Sequence, residues 1–402
     1  MKPFQQLLAA VSVLAFASIA TAQTTTLRIT GSTAFRAATV TAVQNILQPG
    51  YTFGYNGTSV TGAGQSVFVG TTKVGSLPVV IKCSWSGSVG GVQTIAQQSP
   101  AITVANWLSE SINTLTVAGT PALNSGSIYD SPTGADIAMS DSFQSSTAFS
   151  GPGYNTLADT VVGVVPFVWT KGSSNDTAVQ ASLANFTNMS PLMAKLVLAA
   201  GAPLSMFTGT AADSTVYVYA MGRDEDSGTR LTAFAESTFG IFGSPIQYQP
   251  TITSGAIASI APWPAATVLG ISYPTGHSGF SSGGTMATNL NTPVATTARD
   301  AFSAKFALVA YFGVNDANGV NGGNNNLTYN GVAYSADNVR EGKYTFWGYE
   351  HLTYRSTLAG NAKTVADQIA NQLKTADASV SGVLLSTMHV SRSTEGAVII
   401  HN

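Results

Sequence analysis

The stretch Leu27-Arg28-Ile29-Thr30-Gly31-Ser32-Thr33-Ala34-Phe35 decides how the rest of the chain is read. Leu27 to Thr30 reads as a short strand and Gly31-Ser32-Thr33 as a turn. Beyond the turn, apolar positions at Phe35, Ala38, Ala42/Val43 and Ile46/Leu47 recur every three or four residues until Pro49-Gly50 stops the run, which is a helix pattern. Strand, small-residue turn and helix in succession place unpaired backbone N–H groups at a helix N-terminus.

The unit recurs along the chain. A strand over Val79 to Trp85 leads through Ser86-Gly87-Ser88-Val89-Gly90-Gly91 into a helix pattern from Val92. Ile137-Ala138-Met139 ends in Ser140-Asp141-Ser142, and Val216-Tyr217-Val218-Tyr219 feeds Arg223-Asp224-Glu225-Asp226-Ser227-Gly228-Thr229 before the helix that begins at Leu231. The near-continuous apolar run Val161 to Trp169 suits a strand buried on both faces or a crossover between lobes. Helical patterns over 178–200 and 361–373 complete an alternation that indicates an α/β fold with mostly parallel sheets. Residues 51–80 read as an inserted hairpin or two, and residues 100–134 are polar and poorly periodic. Tyr329-Asn330-Gly331-Val332 is a hairpin-turn signal, Asn321 to Asn326 a loop, and Tyr344 to Tyr349 a strand.

With 402 residues, the chain is long enough for two lobes rather than one core. Only 9% of the residues are charged, against roughly 25% in soluble proteins generally. Glycine, serine, threonine and asparagine fill the deficit. A net charge of -2 without a basic block excludes nucleic acid as a partner. The apolar run Leu7 to Ala20 follows Met1-Lys2 and precedes Ala20-Thr21-Ala22, the pattern of a signal peptide over residues 1–22 cleaved after Ala22. It is too short to span a membrane, and no second candidate follows. The expected product is soluble, in the periplasm or secreted, and not membrane-embedded. Its one cysteine, Cys83, cannot form an internal disulfide and reads as a buried structural thiol. No cysteine stands at the cleavage point to carry a lipid.

Ligands in open α/β sheets bind outside the carboxyl ends of strands. At four such ends the chain places Ser32-Thr33, Ser88, Asp141, and Arg223 with Ser227-Gly228-Thr229. Hydroxyls, helix N-terminal amides and one guanidinium suit a small tetrahedral oxyanion. A carboxylate repels an anion, yet it accepts a hydrogen bond from a P–OH group and leaves a fully deprotonated sulfate unmatched. Asp141 is then the selectivity element.

At these residues the sequence resembles the periplasmic phosphate-binding proteins of phosphate ABC transporters, a type II periplasmic binding protein family. Gly31-Ser32-Thr33-Ala34-Phe35 matches the family's first binding loop, Gly87-Ser88-Val89-Gly90-Gly91 the second, Ser140-Asp141 the third, and Arg223 with Ser227-Gly228-Thr229 the fourth. The resemblance implies a two-lobed fold, each lobe a mostly parallel sheet flanked by helices, with lobe one over 23–163 plus 345–402 and lobe two over 164–344. It further implies a monomeric, non-enzymatic protein that binds phosphate through Ser32, Thr33, Ala34, Phe35, Ser88, Asp141, Arg223, Ser227, Gly228 and Thr229 for an ABC transporter permease. The chain departs from the family pattern in its longer spacings, in Ala34 at the ligand threonine, in Arg36 where proline is common, and in the acids Asp224, Glu225 and Asp226.

Two other functions are compatible with parts of the sequence. The inserted stretches 49–80 and 100–134 would serve an extracellular surface or adhesion protein that reuses the fold. Gly279-Phe280-Ser281-Ser282-Gly283 fits a hydrolase nucleophile elbow with Ser281 as nucleophile and His351 or His389 downstream, although Pro274, Gly276 and Gly279 break up the approaching strand. The four histidines are isolated, and neither a metal site nor a cofactor is implied.

Overall fold

The computed structural model describes residues 23–97, 106–112, 129–268 and 271–402. The expected signal peptide over 1–22 and much of the 100–134 stretch lie outside the described residues. Ten strands build the main sheet: β1 Thr25–Gly31, β2 Thr52–Asn56, β3 Gln65–Thr71, β4 Pro78–Ser84, β5 Ile137–Ser140, β6 Leu157–Lys171, β7 Ala202–Pro203, β8 Val216–Met221, β9 Lys305–Gly313 and β10 Trp347–Arg355. The helices of eight or more residues are α1 Arg36–Ile46, α2 Ser88–Ala96, α3 Thr177–Ala184, α4 Pro191–Ala199, α5 Gly228–Glu236, α6 Gly283–Leu290 and α7 Gly360–Thr375. Strand order across the sheet is β2-β3-β4-β1-β5-β10-β6-β9-β8-β7.

Parallel pairing occupies the inner part of each half, where β1 runs between β4 and β5 and where β9 pairs with β8. Antiparallel strands extend these units: the β2-β3-β4 meander on one side, β7 on the other, and β10, β6 and β9 between. The loops after β1, β4 and β5 therefore leave the sheet on the same edge.

The apolar run 161–169 lies in β6, which joins the halves. Leu157 to Pro166 pair with β10, whereas Phe167 to Lys171 pair with β9. Every residue from Val162 to Thr170 is buried, as a strand covered on both faces requires. The stretch 51–80 folds as the β2–β3 hairpin, whose Phe53 and Phe68 rings stack at 6.0 Å over the first half's core. Asn330 and Gly331 both adopt positive φ, 52° and 79°, in the type I′ arrangement that Asn-Gly favours. The strand expected from Tyr344 begins instead at Trp347. Tyr344 is still core, because its hydroxyl donates to the Phe167 carbonyl at 2.6 Å.

Three local features hold the site loops in place. Gly31 has φ +110°, and a Cβ there would lie 2.0 Å from the Met139 carbonyl oxygen. Only glycine lets the end of β1 approach β5 this closely. Cys83 is buried, and burial pushes its thiol up to about 12. The fully buried Lys82 ammonium pairs with Asp130 and, at 3.0 Å, with Glu110, pinning the described parts of the 106–130 stretch onto β4.

Candidate functional site

The site forms where the loops after β1, β4, β5 and β8 meet. Ser88 opens α2, and its Oγ accepts the Asp141 backbone N–H at 3.2 Å. Asp141 Oδ2 accepts the Thr229 hydroxyl at 3.3 Å from the other half of the molecule. Gly228 begins α5 against the same carboxylate: a Cβ there would lie 1.6 Å from Asp141 Oδ1, 2.6 Å from Ser142 Oγ and 2.8 Å from Ser88 Cβ. Ser227 caps α5 by accepting the Arg230 N–H at 3.2 Å, which sets the first-turn amides of α5 toward Asp141.

Arg223 spans the halves. Its Nε donates to the Phe280 carbonyl at 2.9 Å, and its Nη2 donates to the Ser281 carbonyl at 2.9 Å and to Thr33 Oγ1 at 3.3 Å. The Tyr311 hydroxyl accepts the Arg223 backbone N–H at 3.0 Å. Arg230 supports the same segment, its Nη1 donating to the Arg223 carbonyl at 2.9 Å and to the His277 carbonyl. Burial pushes the Asp141 carboxyl above its ordinary range, opposed by the bond to Ser88, the Arg223 charge and the Thr229 hydroxyl. Asp141 Oδ1 is buried without a hydrogen-bond partner.

The structure thus brings together six of the residues singled out in the sequence: Thr33, Ser88, Asp141, Arg223, Gly228 and Thr229. Ser227 acts as the cap of α5. Ser32 shapes the first turn, its Oγ accepting the Phe35 N–H at 3.2 Å and its own N–H donating to the Met139 carbonyl at 2.8 Å. Phe35 is a core side chain packed against Gly163, and Ala34 sits beside Gly313.

The acids beside Arg223 take three different places. The Asp226 carbonyl accepts the Val89 and Gly90 N–H groups at 2.9 and 3.2 Å, so it caps α2 from the opposite half. These amides look available in the sequence and are occupied in the structure; from α2, the Ser88 hydroxyl is what faces Asp141. Glu225 accepts the Ser278 hydroxyl at 3.0 Å. Asp224 is half-buried on the cleft wall next to Arg223, and desolvation raises its carboxyl to about 7; desolvation, then Glu225, raises Asp226 to about 6. Arg36 feels the charges of the half-buried Asp316 carboxylate and of Arg223. A polar cleft of about 560 Å³ opens between Thr33, Arg36, Trp85, Asp224, Asp226 and Ser281.

Sequence reasoning passed over Thr232, Tyr311 and Glu350. Thr232 Oγ1, Ser142 Oγ and both Glu350 carboxylate oxygens are buried without hydrogen-bond partners, as Asp141 Oδ1 is. An acid within the aromatic strand Trp347 to Tyr354, in a chain with so few charges, was the signal that could have found Glu350. At the elbow motif, Ser282 caps α6, accepting the Thr285 N–H at 3.1 Å. His351 Nδ1 lies 2.9 Å from Asp159, and His389 Nδ1 lies 2.7 Å from Glu341. Among the described residues no histidine hydrogen-bonds to Ser281, no cluster of His, Cys, Asp and Glu could hold a metal, and no helix is long and apolar enough to cross a membrane.

Together these features define an α/β protein of two halves with a polar site between strand ends. No family model matches the chain, and no curated protein matches it. Solved structures with a similar chain path include a phosphate ABC transporter substrate-binding protein with bound phosphate from Clostridium perfringens, 10% identical, covering 90% of this chain and 99% of its own at a TM-score of 0.44. An ABC-type phosphate transport receptor from Vibrio cholerae is 12% identical, covering 88% of this chain and 96% of its own at a TM-score of 0.42. A phosphate-binding protein from Stenotrophomonas maltophilia is 12% identical, covering 93% of this chain and 86% of its own at a TM-score of 0.38.

Proposed function

We propose that the protein is an exported solute-binding protein that captures phosphate, or a closely similar tetrahedral oxyanion, between its two halves and delivers it to an ABC permease. The observation that carries the proposal is the Asp141 carboxylate seated on the N-terminus of α5, with Ser88, Thr229 and the Arg223 charge around it. A carboxylate at a helix N-terminus occupies the place of a ligand anion. When the halves part, the Asp141–Thr229 contact is released, and an anion inserted there meets the α5 amides, the Ser88, Thr229 and Thr33 hydroxyls, and Arg223. Asp141 then accepts the P–OH proton.

In this account residues 1–22 are removed during export and the monomer works in the periplasm or outside the cell. Lobe one comprises 23–163 and 345–402, lobe two 164–344, and binding favours the closed form because only there are both sets of donors engaged. The site binds without turnover, since hydroxyls, amides and a guanidinium hold an anion and supply no activated nucleophile.

Asp141→Asn tests the selectivity role. The neutral amide removes the obligate acceptor, so the ratio of phosphate to sulfate affinity is expected to fall by about tenfold or more in calorimetric competition, the effect of about 1.4 kcal/mol. An unchanged ratio contradicts the assignment of Asp141.

A further inference from the structure

Glu350 is the most deeply enclosed acid whose place none of the four loops explains. It lies on β10, where the pairing with β6 slips: Glu350 stands opposite Gly163, but the next residue, His351, stands opposite Val161. Such irregularities re-aim side chains and cluster at functional positions. On its other side β10 pairs with β5 with His351 opposite Ser140, which brings Glu350 alongside Asp141 at the end of β5. Glu350 is 0% exposed, and neither carboxylate oxygen has a hydrogen-bond partner of good geometry within 3.5 Å; the Ser32 hydroxyl is the donor that bears on it, from longer range or at a poorer angle.

An unpaired buried carboxyl is costly, and folded proteins normally satisfy such groups. Asp141 Oδ1, Ser142 Oγ and Thr232 Oγ1 are also buried without partners, as are Trp347 Nε1 and His351 Nε2 on β10 itself. Thr232 lies one helical turn beyond Gly228 on α5, and a Cβ at Gly348 would lie 3.0 Å from the Asp141 carbonyl and 3.5 Å from Thr232 Oγ1. Unsatisfied acceptors and hydroxyls therefore converge beside the α5 N-terminus from β5, β10 and α5. The charged groups acting there are few. Glu350 feels the Asp141 carboxyl, with the Ser32 hydroxyl beside it; Gly163 on β6 adds no charge; Asp141 in turn feels Arg223 and Glu395. Burial first, then Asp141, pushes the Glu350 carboxyl well above its ordinary range.

We infer that Glu350 is a second proton-bearing carboxyl of the anion site, so that the bound complex holds two acid protons shared among the oxyanion, Asp141 and Glu350. This rests on the oxyanion-binding function proposed above. With phosphate, the complex can be written as the dihydrogen anion donating to two carboxylates, or as the monohydrogen anion donating to Asp141 and accepting from a protonated Glu350. The proton count is the same, and the pair titrates as a unit. A lone Asp141 would need only one proton. The second carboxyl makes the site select a protonated, singly charged species, and it makes affinity fall as the pH rises.

The test is the affinity for inorganic phosphate, by calorimetry, from about pH 5.5 to about pH 9.5 for the wild-type protein and for Glu350→Gln, which keeps the shape and cannot ionise. The wild type is expected to weaken by up to about tenfold per pH unit over the alkaline part of this range, because the second proton is lost there, while Glu350→Gln changes by less than about threefold over the same part. Superimposable profiles for the two proteins overturn the role of Glu350. If Glu350→Gln fails to fold, the wild type alone decides. Titrations in buffers of different ionisation enthalpy count the protons taken up per phosphate bound, and no uptake at any alkaline pH overturns the inference. A wild type that binds phosphate at no pH instead removes the oxyanion function itself, which is a separate outcome.

Discussion

Gly228 shows how tightly the two halves meet at the level of single residues. A methyl group at this position would fall 1.6 Å from Asp141 Oδ1, within the carboxylate itself. Gly228→Ala is therefore expected to hold the halves apart and to weaken oxyanion affinity by roughly a hundredfold, about 3 kcal/mol, with little change in far-ultraviolet circular dichroism. Calorimetric titration beside the wild type measures it, and full affinity in the variant would contradict the closed geometry. The residues of this contact were legible as types, because Ser88, Asp141, Gly228 and Thr229 stand at strand ends before helices. Their partners were not. That Ser32 Oγ accepts the Phe35 N–H, while Thr33 reaches Arg223, depends on the path of a turn that composition does not specify. Glu350 stood out only as an acid in an aromatic strand; its approach to Asp141 follows from a pairing slip on β10, and no sequence pattern announces a slip.

At the scale of elements, α2 is joined to the second half by backbone hydrogen bonds as well as by the apolar packing of Val89 and Val92 with Leu231 of α5. The Asp226 carbonyl takes the Val89 and Gly90 amides, and Gly87, at φ +94°, permits the approach because a Cβ there would lie 2.3 Å from that carbonyl oxygen. Gly87→Ala is expected to destabilise the protein by about 1–3 kcal/mol, read as a lower denaturant midpoint, because it adds both backbone strain and a clash. A midpoint equal to that of the wild type would show that the contact is absent in solution. The helix α2 was readable from its glycine-rich start, but its cap was not, since the cap is the carbonyl of Asp226, far along the chain. Strands fared by their patterns. The apolar run in β6 and the alternating run in β8 announced themselves, whereas the start of β10 moved to Trp347 because Tyr344 and Phe346 satisfy the core without a ladder.

The whole molecule is sparing with charge, yet concentrates it where the halves meet: five of the eight residues from Arg223 to Arg230 are ionisable. Their burial makes stability depend on pH. Asp224 and Asp226 rise from an ordinary value of 3.8 to about 7 and about 6, so the folded protein holds their protons more tightly than the unfolded chain does. Their contribution is complete below pH 3.8, the unfolded value, and is lost as the pH climbs through about 6 to 7. The unfolding temperature of the ligand-free protein is expected to fall across that interval, and Asp224→Asn is expected to flatten the fall; an identical slope in the variant would assign it to other groups. The shortage of charge was plain in the sequence. What the acids do beside an anion site was not, because it depends on which atoms burial leaves facing one another. The most direct measurement of the central claim is a calorimetric titration of the purified protein with phosphate, sulfate, arsenate, molybdate and tungstate. Saturable heat at one site per chain with phosphate or arsenate, and little with sulfate, is the expected result; no heat and no thermal stabilisation with any of the five would contradict it.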